Sequence, residues 1–429
     1  MADTIFALSS GQPPAAIGVI RISGPQAGAV LERLAGRLPK PRHATLATLC
    51  DPEDGDPLDS ALLLWFPGPA TATGEDLGEI HCHGGRGVTA ALLRVLSRQP
   101  ECRMAEPGEF TRRAFENGRI DLNEAEGLAD LLLAETEGQR RAAMAMAQGH
   151  FSRLVTSWQS ELLRLSAMAE AALDFSDEDD VPGEGIEKDI AQEIEALVEA
   201  VMVERQRPTA ERLRDGIGVV IAGPPNAGKS TLLNALVGRD AAIVSDIAGT
   251  TRDRIDVPVA LNGVAFLLTD TAGLRDEADD AIEVIGMSRA QDAIEAADIL
   301  LWLGRTEDAP TSNAIKIAAQ SDRPDWNMPE GADIAVSAKG GEGLSALVEM
   351  IVGRAARLLP REGEYALHAR QREALDLLAV ELDQAHHVHD MLIVAECLRR
   401  ARQSIDALTG RSGTEDMLDA LFGNFCIGK

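Results

Sequence analysis

The sequence predicts a multidomain α/β chain: an N-terminal α+β domain, followed by a helical domain that is interrupted by an inserted α/β domain. Three observations carry this reading. Residues 1–118 mix glycines and prolines with short apolar runs. Residues 119–209 and about 360–421 share helical periodicity. Between them, at 215–357, an apolar β-branched run leads through a glycine loop into a helix start.

In the first stretch, Ile17-Gly18-Val19-Ile20-Arg21-Ile22 and Ala61 to Phe66 read as strands. In the second, Leu154, Trp158, Leu162 and Leu165 fall on one helix face. Asp174 to Asp180 with Val181-Pro182-Gly183 reads as an acidic, solvated connection. Helical spacing returns after residue 360 with Leu375, Leu378 and Leu382, then Leu392 and Leu398. Two helical blocks flanking an α/β block are what one helical domain with an insertion leaves in a sequence. There is no internal repeat and no low-complexity tract.

The inserted block carries the chemistry. Ile217-Gly218-Val219-Val220-Ile221-Ala222 reads as a buried strand. Gly223-Pro224-Pro225-Asn226-Ala227-Gly228-Lys229-Ser230 follows, and Thr231 to Val237 reads as a helix ended by Gly238. Glycines let bare backbone N–H groups approach phosphate oxygens, and the helix N-terminus adds positive potential. Lys229 would reach the outer phosphates, and the Ser230 hydroxyl would sit on Mg²⁺.

Downstream, Val257 to Leu261 and Val264 to Leu268 pair through an Asn262-Gly263 hairpin turn and lead to Asp270-Thr271-Ala272-Gly273. Asp270 can hold the Mg²⁺ shell, and Gly273 leaves room for backbone to meet a γ-phosphate. A hydroxyl of Gly249-Thr250-Thr251-Arg252-Asp253 can complete the Mg²⁺ coordination. Ser337-Ala338-Lys339 follows the apolar Ile334-Ala335-Val336, where a base-contacting loop belongs. Order and spacing resemble the Ras-like P-loop GTPase fold. Such GTPases read guanine with Asn-Lys-x-Asp, which is absent here. Ala319-Gln320-Ser321-Asp322 fits the register, after the helical-looking Asn313 to Ala318, and leaves Asp322 to accept from the guanine N1–H and amino group.

Composition limits the alternatives. No apolar run approaches the roughly 18 residues of a membrane helix, and Met1-Ala2-Asp3-Thr4-Ile5 lacks a signal peptide's basic start and apolar core. Five scattered cysteines (Cys50, Cys82, Cys102, Cys397 and Cys426) fit reduced thiols in a cytoplasm. The net charge of −28 argues against nonspecific nucleic-acid binding by the whole surface. RNA contact would need local patches such as Arg112-Arg113, Arg140-Arg141 or Arg399-Arg400-Ala401-Arg402, each of which also reads as a solvated helix face. His81-Cys82-His83 and His386-His387-Val388-His389 lack the second ligand pair of a zinc site.

Further motifs make a family resemblance specific. They are Arg21-Ile22-Ser23-Gly24, then Thr73-Gly74-Glu75-Asp76 with Glu79 and His83-Gly84-Gly85, then Pro107 to Phe115 leading into Asp121 to Glu126. The last is the terminal Phe425-Cys426-Ile427-Gly428-Lys429. With the inserted block, the chain resembles the tRNA modification GTPase MnmE (TrmE) family over nearly its whole length.

The resemblance implies a cytoplasmic homodimer that works with the FAD protein MnmG on tRNA, away from membranes. Its domains would be a folate-binding and dimerisation domain (1–118), a helical domain in two parts (119–209 and 360–429) and the GTPase domain (215–357). The reaction implied adds an aminomethyl or carboxymethylaminomethyl group to carbon 5 of the wobble uridine. GTP, Mg²⁺, K⁺ and 5,10-methylene- or 5-formyl-tetrahydrofolate would take part, with the folate supplying the one-carbon unit.

Site residues carry over position by position. Folate falls to Arg21, Glu79, Arg119 and Lys429, with Arg119 where many relatives have Lys and Ala72 where an aromatic residue is common. The catalytic Glu matches Glu283, since the position that often holds a water-orienting Gln is Leu274. GTP contacts match Asn226, Ala227, Gly228, Lys229, Ser230 and Thr231, the segment Ser245, Asp246, Ile247, Ala248, Gly249, Thr250 and Thr251, and Asp270, Thr271, Ala272 and Gly273. Asp322, Ser337, Ala338 and Lys339 complete that set. Mg²⁺ falls to Ser230 and Thr251, and K⁺ to Asn226, Ser245, Ile247 and Thr250.

Two readings stay open on the residues alone. One is the tRNA-modifying GTPase; the other is a regulatory GTP switch of the ribosome-assembly type, without modification chemistry. Cys426 likewise reads as a nucleophile near a cation or as a small residue packing the tail.

Overall fold

A computed structural model describes residues 3–174, 183–240, 256–271, 291–324, 326–361, 363–411, 415–423 and 425–428. The chain forms two compact units. One holds the residues up to Ala129 together with those from Asp406 onward, and the other is Asp130–Ile405.

In the first unit, strands Thr4–Leu8 (β1), Ile17–Ser23 (β2), Thr45–Cys50 (β3), Pro57–Phe66 (β4), Leu77–His83 (β5) and Cys102–Met104 (β6) make one sheet in the order β3-β4-β5-β2-β1-β6. All neighbours are antiparallel except β1 and β6. Alternation decides what each face carries. Ile20, Ile22 and Ile80 are buried in a core that also holds Leu31 and Leu34 of helix Ala27–Ala35 (α1) and Leu92 and Leu96 of helix Arg86–Ser97 (α2). Arg21 lies between the two isoleucines on β2, opposite Glu79 on β5, so both belong to the other face.

Helix Glu109–Glu116 (α3) and helix Leu122–Leu133 (α4) follow. The chain's end returns to them: Phe422 and Phe425 are buried together with Ala125, and Ile427 bridges Pro107. Gly108 makes this approach possible. Its φ is +67°, and a Cβ there would stand 2.2 Å from the Phe422 carbonyl oxygen.

The second unit combines helices with the inserted sheet. Helix His150–Asp174 (α6, after α5 at Glu137–Ala147) buries Val155, Trp158, Leu162 and Leu165, with Leu154 half-buried at the margin. Helix Gly183–Arg205 (α7) buries Ile190, Ile194, Leu197 and Val201. Leu375, Leu378 and Leu382 are buried in helix Ala369–His387. In helix Met391–Thr409, Leu398 is buried but Leu392 is 67% exposed, because it falls outside the apolar stripe of Val394, Leu398 and Ala401.

After helix Ala210–Asp215 (α8), the inserted sheet holds Ile217–Ala222 (β7), Asp256–Leu261 (β8), Val264–Asp270 (β9), Ile299–Trp302 (β10), Ile315–Ala319 (β11) and Ile334–Val336 (β12), in the order β12-β11-β10-β7-β9-β8. Every pairing is parallel except β8 with β9, which meet at Asn262-Gly263. This is a Ras-like P-loop sheet. Helix Lys229–Asp240 (α9) and helix Leu344–Ala355 pack Leu232, Leu236, Leu347 and Ile351 into its core.

Two local expectations are corrected. The segment read as helical at Asn313 to Ala318 is strand β11, with Ile315, Ile317 and Ala318 buried. A strand covered on both faces loses its alternation and reads like a helix over so short a run. Helix α9 runs through Gly238 to Asp240. One exposed helical glycine costs only about 1 kcal/mol against alanine, too little to end the helix.

The chain enters and leaves the insertion side by side. Leu367 N donates to Pro208 O at 3.0 Å, and Ala210 N donates to Leu367 O at 2.9 Å. Beside them the buried Tyr365 hydroxyl donates to Glu204 Oε1 at 2.6 Å, and Arg207 stacks 4.6 Å from the Tyr365 ring centroid. Burial and the Glu204 hydrogen bond both push the Tyr365 pKa up.

The Gly108 contact is testable. Gly108→Ala should destabilise the full chain by about 2–4 kcal/mol, combining a left-handed alanine with overpacking against backbone. Urea unfolding measures it, and an unchanged midpoint would mean that the chain's end does not press on this turn.

Candidate functional site

The phosphate loop begins where β7 ends. Gly223 has φ +152°, and a Cβ there would lie 3.1 Å from the backbone carbon of Leu303, so a side chain would push the loop off β10. Asn226 takes the left-handed conformation at φ +61°, which Asn tolerates better than most residues. Lys229, at the start of α9, is 6% exposed and donates from Nζ to Gly223 O at 3.1 Å and to Pro224 O at 3.0 Å. Its ammonium therefore sits inside the loop's arch.

Strand pairing brings in the second part. β9 runs parallel to β7 with Asp270 opposite Ile221, so the carboxylate emerges at the same sheet end as the loop. Ser230 Oγ donates to Asp270 Oδ2 at 2.5 Å. A hydroxyl and a carboxylate in contact are the hard oxygen donors that Mg²⁺ takes. Thr271 is turned away, its hydroxyl donating to Ile221 O at 3.0 Å. Ala227 and Thr231 flank the loop glycine and lysine in sequence, and Thr231 faces a neighbouring pocket with Gly228.

That pocket is lined by Gly228 and Thr231 from the phosphate loop, Gln320 and Asp322 from the loop after β11, and Ala338 and Lys339 from the loop after β12. The fully buried Ser337 donates to Asp322 Oδ1 at 2.9 Å and accepts from Gly340 N at 2.9 Å. The Ser337 hydroxyl, then backbone N–H, with Lys339 and Arg323 nearby, holds the Asp322 pKa below the ordinary aspartate value. Asp322 is therefore ionised throughout the neutral range and acts purely as an acceptor.

Other expected residues lie outside the described ones: Glu283, the segment Ser245, Asp246, Ile247, Ala248, Gly249, Thr250 and Thr251, then Ala272, Gly273 and Lys429. Of the acidic connection read at Asp174 to Gly183, Asp174 ends α6 and Gly183 begins α7, and residues 175–182 lie outside the described ones.

A separate pocket lies within the first unit. Arg21, Thr71, Ala72, Thr73, Phe110 and Arg119 are among its lining residues. Arg21 donates from Nη2 and Nε to Glu79 Oε1 at 3.1 and 3.2 Å, and Glu79 Oε2 meets His81 Nε2 at 3.1 Å. Arg119 Nε donates to Thr71 O at 3.1 Å. The remaining fork nitrogens of such arginines suit carboxylates, and Ala72 adds no stacking surface.

Sequence reasoning noticed the motifs at Thr73–Asp76 and Pro107–Phe115 but gave these side chains no task. They hold the pocket's wall. Arg113, 8% exposed, pairs with Glu75 at 3.1 Å, with Glu109 at 3.0 Å and with Asp3 at 2.7 Å. Glu75 accepts from Ser23 Oγ at 2.8 Å, and Asn117 Nδ2 donates to Thr73 O at 2.8 Å. Burial pushes the Glu109 carboxyl up, but Arg103, the Glu106 N–H and Arg113 outweigh it and hold its pKa low. The spacing of the two motifs in sequence gives no hint of this pairing.

His83 pairs with Asp59 at 2.7 Å, and among the described residues no group of three or more His, Cys, Asp or Glu could hold a metal. Cys426 is exposed, while Phe425 beside it is buried. Phe425, not Cys426, therefore packs the tail. Gly428 sits against the backbone of Leu8 and Ser9, which brings the tail to the end of β1.

The comparisons with known proteins agree with this layout. The family model "GTP-binding protein TrmE N-terminus" matches residues 4–119, and "MnmE helical domain" matches residues 122–426. A tRNA modification GTPase MnmE from Rhizorhabdus wittichii is 59% identical, covering 100% of this chain and 97% of its own. Another from Novosphingobium aromaticivorans is 56% identical, covering 100% of both. The chain belongs to the MnmE family of tRNA modification GTPases. The G domain of the T. maritima FeoB iron transporter matches 32% of this chain and 98% of its own at 21% identity, with a TM-score of 0.24, too low to carry weight. No helix among the described residues of this MnmE-family chain is long and apolar enough to cross a membrane.

Base choice tests the pocket. On the expectation that Asp322 accepts from the guanine N1–H and amino group, Asp322→Asn should weaken GTP binding by roughly 10²–10⁴-fold, the size of two hydrogen bonds to a charged acceptor. It should shift preference toward xanthosine triphosphate, whose base presents an oxygen to the new amide donor. Competition binding against both nucleotides measures it, and an unshifted preference would place the base elsewhere.

Proposed function

We propose that this chain hydrolyses GTP in a K⁺-dependent cycle that drives wobble-uridine modification. With an FAD-containing partner of the MnmG type, it adds an aminomethyl or carboxymethylaminomethyl group to carbon 5 of that uridine in tRNA. The carbon comes from a reduced folate, 5,10-methylene- or 5-formyl-tetrahydrofolate, and the working form is a homodimer. The observation that carries the reading is one chain holding both a phosphate loop paired with Asp270 and a separate pocket lined by Arg21 and Arg119. A pure GTP switch has no use for the second.

On this reading the residues divide the work. Lys229 leaves the carbonyls of its own loop to neutralise the outer phosphates. Ser230, Thr251 and Asp270 hold Mg²⁺, which neutralises β- and γ-phosphate charge when bound. Glu283 orients the attacking water, a task Leu274 cannot perform. Asn226, Ser245, Ile247 and Thr250 would hold K⁺, which would supply the positive charge that an arginine finger otherwise provides. Asp322, Ser337, Ala338 and Lys339 read the base. In the first unit Arg21, Arg119 and Lys429 meet the folate's carboxylates, while Glu79 accepts from its pterin edge.

Two measurements test this. Hydrolysis should be roughly 10²-fold faster in K⁺ than in Na⁺ at equal ionic strength, the size expected of a lost transition-state charge. Asn226→Ala should remove the difference. Equal rates in the two salts would strike out the ion's role.

Nucleoside analysis of tRNA from cells lacking this chain should show loss of the modified wobble uridine, restored by the wild-type chain. Arg21→Ala should fail to restore it and should bind the reduced folate roughly 10²-fold more weakly, as a lost charge-assisted pair predicts. Full modification in the deletion strain would leave only the regulatory reading.

A further inference from the structure

Gln320 occupies the position where the guanine-reading pattern carries lysine. Its backbone is left-handed, at φ +60°. Its amide Nε2 donates to the Asn226 carbonyl at 3.2 Å and lies 3.5 Å from where a Cβ on Gly228 would stand. Asn226 is itself left-handed at φ +61°. For Gln320, which lacks asparagine's tolerance of it, this conformation costs about 1–2 kcal/mol and persists only where its surroundings hold it.

The surroundings of Gln320 do so on three sides. Trp326 Nε1 donates to Ala319 O at 3.1 Å, Ser321 N donates to Val336 O at 3.3 Å, and Asp322 accepts from Ser337 at 2.9 Å. With the loop pinned at these points, the left-handed turn at Gln320 directs its side chain across to the phosphate loop. It lines the pocket that holds Asp322 on one side and a cleft containing Asn226 and Trp326 on the other.

We propose that Gln320 is a positioning strut joining the base-reading loop to the phosphate loop, so that this chain aligns base and phosphate subsites with a neutral amide. The Asn226 carbonyl is the point of attachment, and Asp322, two residues along, is what the strut keeps in register. A bound nucleotide spans both loops, so fixing their separation beforehand removes a cost that binding would otherwise meet. This rests on the reading that the pocket takes the guanine of GTP.

The test uses the full-length chain with GTP and GDP as probes. Gln320→Ala should raise KM for GTP and Kd for GDP about tenfold, the size of one hydrogen bond. Gln320→Lys, which keeps a donor at the end of its stem, should bring both back to within about threefold of wild type. Rescue by a donor of different shape is something mere packing would not give. Wild-type affinity in Gln320→Ala, or a loss that Gln320→Lys does not repair, would overturn the strut. Failure of the underlying base reading looks different: the wild-type chain would bind ATP as well as GTP.

Discussion

The parallel pairing of β7 with β9 is the constraint on which the nucleotide site depends. It sets Ile221 opposite Asp270, so a loop leaving one strand and a carboxylate closing the other emerge at the same sheet end. Ser230 and Asp270 then meet at 2.5 Å although 40 residues separate them. A slip of one residue would turn Asp270 to the opposite face and leave Ser230 without its neighbour. The core beneath, with Ile217, Val219, Ile221, Phe266 and Leu268 buried, makes such a slip expensive.

The first unit reaches its arrangement by other means. Its sheet is covered by α1 and α2 on one face, which leaves Arg21 and Glu79 free to pair on the other. The pocket's second wall is a loop with no regular structure, and α3 and the turn after it supply what a strand partner otherwise would. Arg113 and Asn117 hold Glu75 and Thr73, and Arg119 holds Thr71. Thus one short, highly charged helix is used inward as well as outward, and Arg112 beside it meets Glu116 and Asp419 instead.

Where the insertion joins the helices, its two chain ends hydrogen-bond to one another before they part, beside the buried Tyr365–Glu204 pair. A tyrosine hydroxyl buried against a carboxylate is satisfied only in this geometry, and an unmade bond there would cost about 1–3 kcal/mol. Entry and exit are thereby held together by contacts that do not involve the sheet itself.

Much of the fold was legible in the sequence. β7, the phosphate loop and the start of α9 could be read because apolar run, glycine spacing and helix start are local signals, as could the β8–β9 hairpin through Asn262-Gly263. The family motifs placed Arg21, Glu79 and Arg119 among the residues of interest. Strand β11 was misread because burial on both faces erases alternation, and the end of α9 because a single glycine is a weak stop. The tasks of Arg113, Asn117 and Gln320 were hidden, because each acts on a backbone or carboxylate far along the chain.

What the sequence determined by itself was therefore the local vocabulary: which runs are strands or helices, and which residues bear phosphate- and carboxylate-binding chemistry. What only the tertiary structure decided was adjacency. Arg21 with Glu79, Ser230 with Asp270 and Gln320 with Asn226 are separated by 58, 40 and 94 residues. Dihedral preference and hydrophobic period act over a few residues, whereas such pairings follow from strand order and register, which the buried core settles collectively.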